Sequence, residues 1–326
     1  MGAAIGVGLA AWLLTSYGFA RILAVVLQVG WAGMLAVVLF HLPQILCSAL
    51  GWQAISGTRT RTALTGDLQL HTRTYFSLRW IREAINNLLP LAQIGGELVA
   101  ARLLQRRGAP LAGAIAGTVA DLLLEMATQV MFTVLGVFLL VRLVGHSEVA
   151  VLVTRGLLLA TLGLVGAFAA LWLGAARLLE RAVLGMGRSL GWPATEGIGG
   201  LHEALMSCFN SPARVALGGF WHLASWLLGG IEVCLILRFC GADVGLTAGL
   251  IIESLGQAAK TVGFAVPGAV GVQEGGYVLI GRALGISPEI ALALSLVKRL
   301  REVVLGLPAL ALWHRTAARS AAVPLV

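Results

Sequence analysis

Residues 266–276 read VPGAVGVQEGG. A proline and several glycines surround one carboxylate, Glu274, inside an apolar background. Proline and glycine free backbone N–H and C=O groups that hydrocarbon cannot satisfy, so such backbone persists at membrane depth only inside protein or beside water. A carboxylate there costs several kcal/mol as well. The run therefore reads as a membrane helix broken where a polar group is held. A shorter version of it lies 177 positions upstream: Pro90 falls on Pro267, Glu97 on Glu274, Gly108 on Gly285 and Glu125 on Glu302, without a gap. A duplicated unit with a Pro/Gly break next to an acid is the building block of many transporter folds.

Composition agrees with a membrane setting. The hydrophobic fraction is 58% and the charged fraction 12%, where soluble domains average about 25% charged. Mean hydropathy is +0.90. No long stretch has soluble-domain composition, so residues 1–326 read as a single transmembrane domain with repeat units at about 28–145 and 205–322. The net charge of +8 reads as an orientation signal rather than a nucleic-acid signal. The start, MGAAIGVGLAAWLLTSYGF, lacks a basic leader and reads as an uncleaved first span. Cys47, Cys208, Cys234 and Cys240 have no metal-ligand spacing and read as buried thiols.

A span needs roughly 20 apolar residues. Candidates are about 3–19, 30–54, 111–141, 149–175, 213–239 and 289–313. Two further apolar regions, 75–107 and 246–286, are broken near Pro90–Gly96 and Pro267–Gly276. The predicted fold is an all-α polytopic membrane protein of about six full spans plus two Pro/Gly-broken re-entrant helical pairs. Arg59, Arg61, Arg73, Arg79, Arg82, Arg102, Arg106 and Arg107 crowd one side, with Arg177, Arg181, Arg188, Arg214, Arg315 and Arg319. The positive-inside tendency makes that side, and both termini, cytoplasmic. The two broken pairs then enter from opposite faces, which makes the repeat inverted. Residues 56–74 read as a solvated loop or surface helix, and Leu201–Phe209 as an interfacial helix.

Three constellations could carry function. The first is Asn86, Asn87, Pro90, Gln93, Gly95, Gly96 and Glu97; the second is Lys260, Pro267, Gly268, Gly271, Gln273, Glu274, Gly275 and Gly276. Each offers unpaired backbone and a carboxylate, a place to hold a polar headgroup. The third lies on the helix after each break. Asp121, Glu125 and Gln129 share one face by i, i+4 spacing, and the matching helix carries Lys298, Arg299, Arg301 and Glu302. If these two helices pack together, acid and base neutralise one another. His41, Gln44, His222, Glu232 and Glu253 read as helix-packing hydrogen bonders. No nucleophile elbow, phosphate loop or zinc pattern is present, so soluble-type covalent catalysis has no residues to support it. No metal or cofactor is expected.

The run PGAVGVQEGG with RALGISPEIALALSLVKRLREVV after it resembles the closing motif of the lysylphosphatidylglycerol synthase transmembrane-region (flippase-like) family. GGELVAARLLQRRGAPLAGAIAGTVADLLLEMATQ, residues 95–129, resembles its middle motif. The opening, with VGWAGMLAVVLFHL and a later GW, looks like the branch associated with hopanoid biosynthesis. The resemblance spans about residues 25–315. It implies a multi-pass protein of the bacterial inner membrane that handles lipids, and transfers the motif positions to Glu97, Arg102, Glu125, Gln129, Pro267, Gly271, Glu274 and Arg299. In two-part relatives a soluble domain makes an aminoacylated lipid and the membrane part moves it. The chain stops at Val326, so that synthase activity is not expected here.

Lipid translocation between leaflets is the expectation, with a hopanoid as one cargo and membrane lipids as partners. Glu97 and Glu274 would face a shared wet cavity, and Lys260, Lys298, Arg299 and Arg301 would neutralise them or bind phosphate. Two alternatives stand beside it. One is a membrane-embedded headgroup-modifying enzyme with Glu97 and Glu274 as acid and base. The other is a non-catalytic scaffold that docks lipid-biosynthesis enzymes.

Overall fold

The computed structural model describes residues 2–56, 60–62, 66–68, 70–89, 95–145, 199–262 and 269–321, with scattered positions between 155 and 181. Pro90, Gln93, Pro267, Gly268 and more than half of the predicted span 149–175 lie outside the described residues.

Among the described residues the order is α1 (Gly2–Ser16), α2 (Phe19–Ser56), β1 (Thr60–Thr62), β2 (Gly66–Leu68), α3 (Thr72–Leu88), α4 (Gly95–Arg106), α5 (Leu111–Val144), α6 (Leu201–Phe209), α7 (Pro212–Phe239), α8 (Leu246–Val262), α9 (Val272–Ala283) and α10 (Pro288–Ala321). The protein is an all-α polytopic membrane protein. α2, α5 and α7 are each long and apolar enough to cross a bilayer. α10 is 34 residues long and contains the predicted span 289–313. Among the described residues β1 and β2 form an antiparallel hairpin, where the sequence predicts a loop or surface helix.

Punctuation in the chain sets the helix ends. α2 kinks at Gly30, whose φ of 62° breaks the helical ladder. α5 ends at Gly145, also left-handed at φ 79°, whose N–H closes back on the Val141 carbonyl at 2.9 Å. Gly108 before α5 and Gly285 before α10 both take positive φ, at 96° and 76°.

The helix bounds follow the sequence offset. α4 and α9 are each 12 residues long, from 95 and from 272, which is 177 apart. α5 and α10 are each 34 residues long, from 111 and from 288, again 177 apart. Twelve residues rise about 18 Å, well short of a hydrocarbon core about 30 Å thick. α3 packs back on α4, and α8 on α9, so each broken region is a helical hairpin.

α2 lies against α7, which also packs on α8; α3 bridges α10, α2 and α4; α5 takes α8, α6, α2, α4 and α7. The largest apolar cluster joins α2, α7, α8, α9 and α10 through residues such as Val37, Ile236, Ile251, Tyr277 and Leu294. α6 is a helix with the predicted bounds, but its apolar face does not turn to lipid. Leu201, Leu205 and Cys208 pack with Ile55, Ala116 and Leu124. Cys47, Cys208 and Cys240 are buried free thiols, and Cys234 is half-buried.

Close crossings use glycine, as helix packing in lipid requires. A Cβ on Gly249 of α8 would sit 2.6 Å from the Gly230 carbonyl of α7 and 2.2 Å from Cys234 Sγ. Gly249→Val is therefore expected to cost about 1–3 kcal/mol through overpacking, read as a lowered unfolding midpoint in detergent. Gly113→Ala on α5 meets nothing within 4 Å and should leave that midpoint unchanged or slightly higher.

Candidate functional site

The polar face of α3 organises the site. Arg79, Arg82 and Asn86 are spaced i, i+3, i+7, and Glu83 and Asn87 run beside them at i, i+4. The first row faces α4 and α5. Arg79 holds Glu125 with both terminal nitrogens, at 2.8 and 2.5 Å. Arg82 spreads over three acids: Glu97 at 3.0 Å, Asp121 at 2.5 Å and Glu125 at 3.2 Å. His222 Nε2 of α7 meets the other Asp121 oxygen at 2.9 Å. Asn86 donates to Glu97 at 3.1 Å and accepts from the Gly96 N–H at 2.9 Å.

This corrects two expectations. Arg79 and Arg82 are 7% and 3% exposed, so they are internal counter-ions rather than markers of the cytoplasmic face. The acids of α5 are neutralised from α3, not from the basic set on α10.

In the second hairpin Glu274 stands at the third position of α9, where free N–H groups favour an anion. It accepts from the Gly271 N–H at 2.6 Å, from Ser295 at 3.0 Å and from Arg299 at 2.7 Å. Lys298 binds Glu253 of α8 and lies 5.8 Å over the Tyr277 ring. Gln273 donates to the Tyr277 hydroxyl at 3.0 Å.

The two halves meet in a third group. Lys260 sits in the last turn of α8, where free carbonyls favour a cation. Its ammonium donates to Asn87 Oδ1 at the end of α3, at 3.1 Å, and lies 3.4 Å from Glu302 of α10. Arg301 is 3.9 Å from Glu302 and bonds Glu232 of α7. His41 and Gln44 of α2 bond the other Glu232 oxygen, the former at 2.9 Å. Five helices thus converge where the first arm of each hairpin ends. A cavity of about 20 Å³ lies there, lined in part by His41, Glu83, Asn87, Arg301 and Glu302.

The predicted candidates sort accordingly. Asn87, Lys260, Arg301 and Glu302 come together. Glu97, Asp121 and Glu125 form the α3 group, while Glu274, Gly271 and Arg299 form the α9 group. Glu97 and Glu274 share no partner among these bonds. Gln129 ties α5 to α8 through Thr261 at 2.7 Å. Arg102 is exposed on α4 and donates to Gln105 at 3.4 Å, away from these groups. Pro267 lies outside the described residues. Arg79, Arg82 and Glu83 are absent from the candidates drawn from sequence, although their helical spacing with Asn86 and Asn87 is the signal that marks them. His41, His222, Glu232 and Glu253, read as packing residues, are integral to the charged groups.

The family profile described as "Lysylphosphatidylglycerol synthase TM region" matches residues 1–309. The chain belongs to that family. Membership in the lysylphosphatidylglycerol synthase TM family makes it a multi-pass membrane protein with a lipid-related role. The match runs through all three charged groups, since Glu302 is the last of their members. Neither the curated proteins nor the solved structures offer a match.

Proposed function

We propose that the protein moves an amphiphilic lipid between the leaflets of the bacterial inner membrane. The contact of Lys260 with Asn87 carries this reading, because it joins the ends of both broken hairpins in one polar spot. A cation, an amide and a carboxylate converge there, which suits a zwitterionic or hydroxylated headgroup while the tails stay in lipid.

Helices α4 and α9, too short to span, support re-entrant hairpins. Equal bounds at a constant offset support two copies of one unit, inverted in the membrane, with both termini cytoplasmic. Rocking of one copy against the other would expose the spot to each leaflet in turn. Buried ion pairs are poor sources of net stability, since hydrophobic replacements often do as well. Their abundance here therefore favours a role in gating over one in holding the bundle together. A hopanoid or its derivative is the proposed cargo, on the resemblance of the opening segment. The reading assigns no covalent chemistry to the chain.

Leaflet-resolved lipid labelling in reconstituted vesicles tests the proposal. Glu274→Ala removes one partner of Arg299 and the acceptor of the Gly271 N–H at the start of α9. It is expected to slow lipid movement at least ten-fold, about 1.4 kcal/mol on the barrier. Equal rates in variant and wild type would sink the assignment of Glu274, and no movement in either would favour a scaffold for lipid-synthesis enzymes.

A further inference from the structure

Both ring nitrogens of His41 face carboxylates. Nδ1 is 2.9 Å from Glu232 Oε2, and Nε2 is 3.8 Å from Glu83 Oε1. An ionised carboxylate only accepts, and a neutral imidazole has a single N–H. A neutral ring would therefore turn a lone pair toward one of the two acids; only the imidazolium, with two N–H groups, suits both. The charge count agrees. The junction holds three carboxylates, Glu83, Glu232 and Glu302, against two permanent cations, Lys260 and Arg301. A proton on His41 closes the balance.

Among the described residues the other nearby cations are committed to acids of their own. Lys298 of α10 pairs with Glu253, though it also acts at longer range on Glu232, and Arg79 on Glu83. On α3, Arg79 and Arg82 are turned to Asp121 and Glu125 of α5 and to Glu97 of α4. On α7, His222 is engaged with Asp121. On α6, Glu203 reaches Arg177, and the helix packs through Leu201, Leu205 and Cys208 beside Ile55 near the C-terminal end of α2. There is also a route for a proton. The side chain of Glu83 is 30% exposed, yet its Oε2 is buried without a hydrogen-bond partner among the described residues. Glu83 and His41 both line the cavity of about 20 Å³, above the roughly 10–15 Å³ that one water needs.

We infer that His41, between Glu83 and Glu232, is an exchangeable proton-binding site at the seam between the two halves. Bound, the proton ties α3 to α7 through α2. Lost to water by way of Glu83, it leaves two acids facing a neutral ring and loosens the seam. Resting on the lipid-transport reading, this makes the proton the coupling ion.

Ring-nitrogen NMR on histidine-labelled full-length protein in lipid nanodiscs tests the site. His41→Gln identifies the His41 signals among those of six histidines. They should be those of an imidazolium at pH 7, and Glu83→Gln should lower the ratio of charged to neutral ring at least ten-fold. A neutral His41 in the wild type, or a ratio unmoved by Glu83→Gln, overturns the site. Coupling is read separately, in vesicles with an imposed proton gradient: wild-type lipid movement should follow the gradient, and His41→Gln should lose that response. Movement indifferent to the gradient, with an imidazolium present, overturns the coupling and leaves the site. If no lipid moves at all, the transport reading fails and the coupling with it, while the NMR result still decides the site.

Discussion

Arg82→Met should unfold the first half of the protein more readily than any other single change on α3. Arg82 is 3% exposed and touches Glu97, Asp121 and Glu125, each on a helix other than its own. Removing it takes the arginine partner from Glu97 and leaves Asp121 and Glu125 to Arg79, which already spends both terminal nitrogens on Glu125. Stranding a buried charge typically costs about 3–5 kcal/mol. Urea or thermal unfolding in detergent would measure it. Arg82→Met combined with Asp121→Leu removes both charges of Arg82's shortest pair and should recover part of the loss. If the single variant is as stable as wild type, the group holds together as a hydrogen-bond network rather than by its buried charge.

Glu232→Leu comes next. Glu232 is 1% exposed and is the shared acceptor of Arg301, His41 and Gln44. Among the described residues its loss leaves Arg301, itself 5% exposed, with the longer Glu302 ion pair at 3.9 Å. The expected cost is again about 3–5 kcal/mol. The double variant with Arg301→Leu separates stability from function. It trades an ion pair for apolar packing, which is often neutral or better. Stability should return while lipid movement does not. Recovery of both would assign the pair to bundle packing alone.

The fold was legible because apolar length and Pro/Gly punctuation act locally. The breaks at 90–96 and 267–276, the glycines at 108 and 285, and the helix Leu201–Phe209 all follow from short-range signals. Partner choice was not legible, because it depends on which faces meet. Asp121 and Glu125 were visible as a polar stripe, yet nothing local to them points to Arg79 and Arg82 as their counter-ions. Counting arginines for orientation even pulled those two the other way, since a Coulomb rule about loops cannot tell a loop arginine from one buried at the same distance along the chain. The same gap hid Glu83 and His41, which are 42 positions apart and meet only across packed helices.

Opposite signs are kept within a few ångströms of each other throughout these groups. The voltage across a bilayer does work of about 2.3 kcal/mol per 100 mV on each unit of net charge carried through it. Clusters whose charges lie this close together leave that field little net charge to pull on. The electrical sensitivity of any rocking motion would then be small, and would change by one elementary charge when a single titrating ring changes state.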